Sequence, residues 1–145
     1  MIYWAILTAK TAADVTAISH PLEERISRFV EDYPDREHTF VSPWPEPPEV
    51  YIEQARSSPH LTPEIARRLD LCRSVLLFEG PGNPWECADQ VSVLKLYLEG
   101  LKGSVIDWGD IDYGWPPIQT AEDAVVSLGD LPDEPRLLSD EPEDG

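Results

Sequence analysis

The chain has 145 residues, with 28 acidic side chains against 11 basic ones and a net charge of −17 with histidine neutral. That balance excludes a binder of nucleic-acid phosphates or of anionic lipid, since both need clustered Lys and Arg. Hydrophobic residues make up 41% of the chain, so the acidity belongs to a folding domain and not to a wholly disordered one.

Residues 2–7 are β-branched, aromatic and apolar, and they predict a buried strand. Thr11 and Asp14 have the form of a capping box, which predicts a short helix with Val15 and Ile18 inward. Pro21 suits the first turn of a second helix, whose residues Leu22, Ile26, Phe29 and Tyr33 share one face. Residues 39–41 are a candidate strand. Residues 42–48 hold four prolines, which forbid a central strand or a helix interior and predict an extended surface segment. A short helix is expected over 50–56. Another starts at Thr62-Pro63-Glu64, with Ile65, Leu69 and Cys72 on one stripe.

Residues 74–78 form the clearest strand, continuous and apolar enough to be central. Gly80-Pro-Gly-Asn-Pro84 breaks it, and Asn83 with Glu86 reads as a capping pair with Pro84 at the first helical position. The helix runs to about Leu98. Its residues Ala88, Val91, Leu94, Leu98 and Leu101 face the core, and Glu86, Asp89, Gln90, Glu99 and Lys102 face the other way. Residues 104–107 are a further strand, closing a strand–helix–strand unit whose crossover would be right-handed if its strands are parallel. Thr120 caps a last short helix holding Ala124, Val125 and Leu128. From Asp130 onward prolines alternate with acids, as expected of an at least partly disordered tail over 130–145. The fold class is α/β or α+β: one domain over 1–129, with a mostly buried sheet of about four strands and helices packed on it.

The opening apolar stretch is far short of the ~20 residues that cross a bilayer. Lys10 follows it instead of preceding it, so it is not a secretory signal. Cys72 and Cys87 are expected as reduced core residues and the protein as cytoplasmic. Asparagine occurs once and lysine three times, a bias that suggests a GC-rich, bacterial genome.

Three constellations bear on chemistry. The loop over 80–85 lies where phosphate-binding loops lie, between a strand and a helix N-terminus. Two of its residues are prolines without an N–H, no lysine reaches a phosphate, and Glu79, Glu86 and Asp89 would repel one, so a turn with a helix cap is expected. Asp107, Asp110 and Asp112 could hold a divalent cation. A calcium loop starting at Asp110 would place Gly114, Trp115 and Ala121 at its fifth, sixth and twelfth positions, which excludes an EF-hand, and a solvated acidic loop is expected. His20, His38 and His60 are scattered and show no zinc spacing with the cysteines. No nucleophile elbow is present, and no catalytic residue, metal or cofactor is expected.

The stretch over 107–115 interleaves Trp108, Tyr113 and Trp115 with Asp107, Asp110 and Asp112. Trp and Tyr are enriched at binding hot spots, and carboxylates around them steer a basic partner. The plainer reading is that the tryptophans fill the core and the acids keep the chain soluble. Both readings stay open for Tyr113 and Trp115, whereas Trp4 and Trp108, in or beside strands, are assigned to the core.

Two stretches together resemble a known group. One runs from Ser58-Pro-His-Leu-Thr-Pro-Glu-Ile-Ala66 to Ser74-Val-Leu-Leu-Phe-Glu-Gly-Pro-Gly82. The other is the amphipathic helix ending in Gly103-Ser-Val-Ile-Asp107, followed by Trp115-Pro-Pro117. The pattern resembles small bacterial α/β domains found among toxin-immunity, antitoxin-like proteins. It covers about half the chain and supplies no catalytic residues.

The acid excess and the lack of a catalytic motif lead to the expectation of a non-enzymatic inhibitor. It would neutralise a basic toxin or nucleic-acid-acting enzyme by occupying its cleft. Asp107, Asp110 and Asp112 would steer, and Tyr113 and Trp115 would anchor. The alternatives are a mobile-element mimic of nucleic acid and a small hydrolase or nucleotide-handling enzyme using the loop at Gly80. A basic protein partner is expected, with no direct nucleic acid and no membrane.

Overall fold

The computed structural model describes residues 2–34, 40–80, 88–109, 116–129, 131 and 133. Five strands form one sheet in the order β2-β3-β1-β4-β5, built from β1 (Ile2–Thr8), β2 (Phe40–Pro43), β3 (Ser74–Gly80), β4 (Val105–Asp107) and β5 (Ile118–Thr120). Every neighbouring pair is antiparallel. Five helices join them: α1 (Ala12–Asp32), α2 (Pro48–Arg56), α3 (Pro63–Leu71), α4 (Ala88–Gly100) and α5 (Ala121–Leu128). The fold is α+β.

The sheet is covered on both faces because its strands alternate two apolar sets. Trp4, Ile6, Leu76, Phe78 and Ile106 point to one side and form the larger core with α1, α4 and α5. Ala5, Leu7, Val75, Val105 and Ile118 point to the other and pack on Ile52, Ala55, Ile65 and Leu69 of α2 and α3. β3 and β4 are each antiparallel to β1, which lies between them, so they are parallel to one another. The unit β3–α4–β4 is therefore a split βαβ with the first strand of the chain inserted at its centre.

Three features depart from the sequence reading. A fifth strand, β5, follows Pro116-Pro117; three residues between prolines and a helix cap are too few to show a period. The two helices expected around Pro21 are one helix of 21 residues with Pro21 inside it. An interior proline costs on the order of 3 kcal/mol. The inward residues Val15, Ile18, Leu22, Ile26, Phe29 and Tyr33 nevertheless stay in phase across it, so packing on the sheet holds the helix continuous. Asp89 and Gln90 are buried instead of facing solvent, because α4 lies between α1, α5 and the sheet. Of the tail expected over 130–145, Leu131 is buried and Asp133 accepts from the Lys95 ammonium at 2.8 Å. The rest of that tail lies outside the described residues.

Three caps read from sequence are formed, and the Asn83–Glu86 pair lies outside the described residues. Thr11, Thr62 and Thr120 each accept a bond from the backbone N–H three residues on. β2 is an edge strand, where Pro43 is tolerated. The Trp44 N–H donates to the Val75 carbonyl at 2.9 Å, which continues the β2–β3 register and places Pro43 at a non-hydrogen-bonded position. Its missing donor faces outward and costs the ladder nothing. Cys72 is a half-buried free thiol whose pKa burial pushes up to about 11, against the opposing pull of Arg56. Cys87 lies outside the described residues. No described helix is long and apolar enough to cross a membrane.

Candidate partner-binding loop at the end of the sheet

The neck of the β4–β5 hairpin fixes where residues 110–115 leave and rejoin the sheet. Asp107 pairs with Ile118 across the ladder, and one residue on the Trp108 N–H donates to the Pro117 carbonyl at 2.8 Å. Alternation then sends Asp107 and Trp108 to opposite faces. Trp108 is fully buried in the larger core, edge-on to Trp4 with ring centroids 5.1 Å apart. Its Nε1–H donates to Gln119 Oε1 at 2.9 Å, and Gln119 Nε2 donates to Ser127 Oγ on α5 at 3.1 Å. The assignment of Trp4 and Trp108 to the core holds.

Asp107 is half-buried on the other face. Its Oδ2 accepts from the Tyr51 hydroxyl at 2.8 Å, and its Oδ1 accepts from the Gly109 N–H at 2.9 Å. Gly109 takes a positive φ of 78°, a conformation that side chains with a Cβ rarely adopt. Tyr51 packs edge-on against Trp44 at 5.0 Å, which ties α2 and the proline segment to the same corner. Burial, then the charge of Asp107, then their hydrogen bond raise the Tyr51 pKa, so the phenol stays a donor. Both Asp107 oxygens are thus engaged by the scaffold. Asp107, expected as a steering charge, here joins β4 to α2 and to the backbone at Gly109. Asp110, Asp112, Tyr113 and Trp115 lie outside the described residues, as do Gly82, Asn83 and Pro84 of the glycine–proline loop.

Sequence reasoning missed Trp44, Tyr51 and Gln119 as supports of this corner. Tyr51 and Asp107 are 56 positions apart, and no local signal links them. Among the described residues no group of three His, Cys, Asp or Glu could hold a metal ion. His20 and His60 are exposed on separate elements, and His20 lies 3.5 Å from Glu24 on α1. His38 is outside the described residues. No family model, curated protein or solved structure matches the chain.

Proposed function

We propose that this chain is an acidic protein-binding inhibitor of the immunity type, which neutralises a basic toxin or effector by placing its β4–β5 loop in that partner's active cleft. The observation that carries the reading is the braced neck of the loop. The Trp108–Pro117 bond, the Asp107 contacts to Tyr51 and Gly109, and the buried Trp108–Gln119 pair hold both ends of a segment rich in carboxylates and aromatics. A rigid mount lowers the ordering cost of binding. Asp110 and Asp112 speed the approach of a basic surface, and Tyr113 and Trp115 supply large contact area with few rotatable bonds.

The test uses the product of the gene beside this one, expressed with and without this chain. Wild type relieves growth arrest and forms a complex with that product. The Asp110→Lys/Asp112→Lys variant binds more slowly at low salt and rescues poorly. Equal rescue and equal affinity by both proteins would remove the loop from the interface, and no complex with wild type would remove the inhibitor reading.

A further inference from the structure

A groove of about 260 Å³ runs between α1 and the β2 edge of the sheet, away from the hairpin neck. Its apolar wall is made by Val15, Val41, Pro43 and Leu76. The facing turns of α1 carry Ala12, Thr16 and Ser19, which are too short to fill the space. Glu23 lines the groove and Glu24 lies just beyond it, both exposed, and no Lys or Arg is among the described residues that line it. A shallow depression continues from His20 and Glu23 past Glu24 to Arg28.

The dimensions limit the occupant. Small-molecule pockets run to about 300–1,000 Å³. This groove lies below that range and matches one or two aliphatic side chains. An added strand is disfavoured, because Pro43 deprives the outer edge of β2 of a donor where a partner strand would need one. The remaining mode is insertion of side chains. The geometry points to a second contact surface here, a socket for an aliphatic residue of the basic partner protein, with the Lys or Arg beside that residue paired to Glu23 and Glu24. This rests on the reading of the chain as an inhibitor of a basic protein, and it adds a surface separate from the loop.

The probe is a fluorescein-labelled peptide of alternating leucine and arginine, compared with a glycine–arginine control of equal charge. The wild-type full chain binds the leucine peptide about ten-fold more tightly, the value of one buried aliphatic side chain. Thr16→Trp, at an exposed helical position, fills the groove and abolishes that preference. Glu23→Lys weakens both peptides and keeps the ratio. Asp110→Lys/Asp112→Lys leaves the ratio unchanged. Equal affinity of wild type for the two peptides overturns the socket. Loss of the preference in the loop variant also overturns it, by moving the apolar contact to the loop and leaving the inhibitor reading in place. If Thr16→Trp alters the sedimentation of the chain without peptide, the groove belongs to a second copy and the proposal fails. If the socket behaves as stated and the neighbouring gene product forms no complex, the inhibitor reading alone fails.

Discussion

Gln90 is fully buried on α4, and among the described residues neither its amide nitrogen nor its amide oxygen has a hydrogen-bond partner. Gln119, also buried, has both atoms engaged, by Trp108 and Ser127. The contrast predicts opposite outcomes for one substitution. Gln119→Leu strands the Trp108 Nε1–H in the core and lowers stability by about 1–3 kcal/mol. Gln90→Leu replaces an unsatisfied amide by a side chain of similar size and raises stability by about 1 kcal/mol. Urea midpoints at unchanged slope read both. A Gln90→Leu protein less stable than wild type would mean that a bound water completes the site. The sequence distinguished neither glutamine. Trp4 and Trp108 were legible as core because each sits in or beside an apolar run. A polar residue has no such marker, and Asp89 and Gln90 were assigned to solvent on helical phase alone. That inference fails when a helix is packed on three sides.

Between elements, one side chain links three. Arg68 of α3 donates from Nε to Glu64 on its own helix, and from Nη1 to the Ser104 carbonyl before β4 and to Glu122 on the first turn of α5. Glu122 also accepts from the N–H of Gly103, whose φ of +84° permits the turn into β4. Burial works to raise the Glu122 pKa. The Arg68 hydrogen bond, the backbone donors and the Arg68 charge outweigh it and hold the carboxyl below the ordinary range. With the folded pKa below the unfolded one, the unfolded chain takes up the proton first as pH falls. The stabilisation is therefore full above about pH 4.5 and is lost as pH falls through the lowered folded value. Glu122 is half exposed, so the link is modest, about 1 kcal/mol. Glu122→Gln should lower the urea midpoint at neutral pH, and its difference from wild type should shrink on acidification; a gap that is flat or widens there would refute the assignment. Thr120 as the cap of α5 was readable from sequence, because a cap lies within three residues of its target. The Arg68 link was not, because it depends on which strands are neighbours.

Strand order also decides how charge is distributed over the whole molecule. Lys10, Arg68, Arg73 and Lys102 lie at the end of the sheet where β1 finishes and β3 and β4 begin, as the Thr8–Ser74 and Leu7–Val105 pairs show. Asp107, Glu79 and the departure of the acidic loop lie at the other end. The apolar runs made four of the five strands and a mostly buried sheet predictable. This polarity was hidden, because inserting β1 between β3 and β4 is a long-range choice with no local signal. Several of the 11 bases are already held in ion pairs, including Arg56 with Asp70 and Lys95 with Asp133, and the 28 acids far outnumber the bases that could neutralise them. The mutual repulsion of the acids opposes the compact state. Salt shortens the Debye length from about 30 Å at 0.01 M to about 3 Å at 1 M and screens this repulsion together with the attractive pairs. With acids exceeding bases by 17, the repulsion is the larger sum. Sodium chloride at neutral pH should therefore raise the melting temperature by roughly 3 °C, the equivalent of about 1 kcal/mol in a domain of this size. Near the isoelectric pH that the composition implies, about 4.3, the chain carries little net charge and the same addition should have little effect. A melting temperature that falls with salt at neutral pH would mean that links such as Arg68–Glu122 outweigh the repulsion. An equal rise at both pH values would assign the effect to salt exclusion from apolar surface instead of to charge.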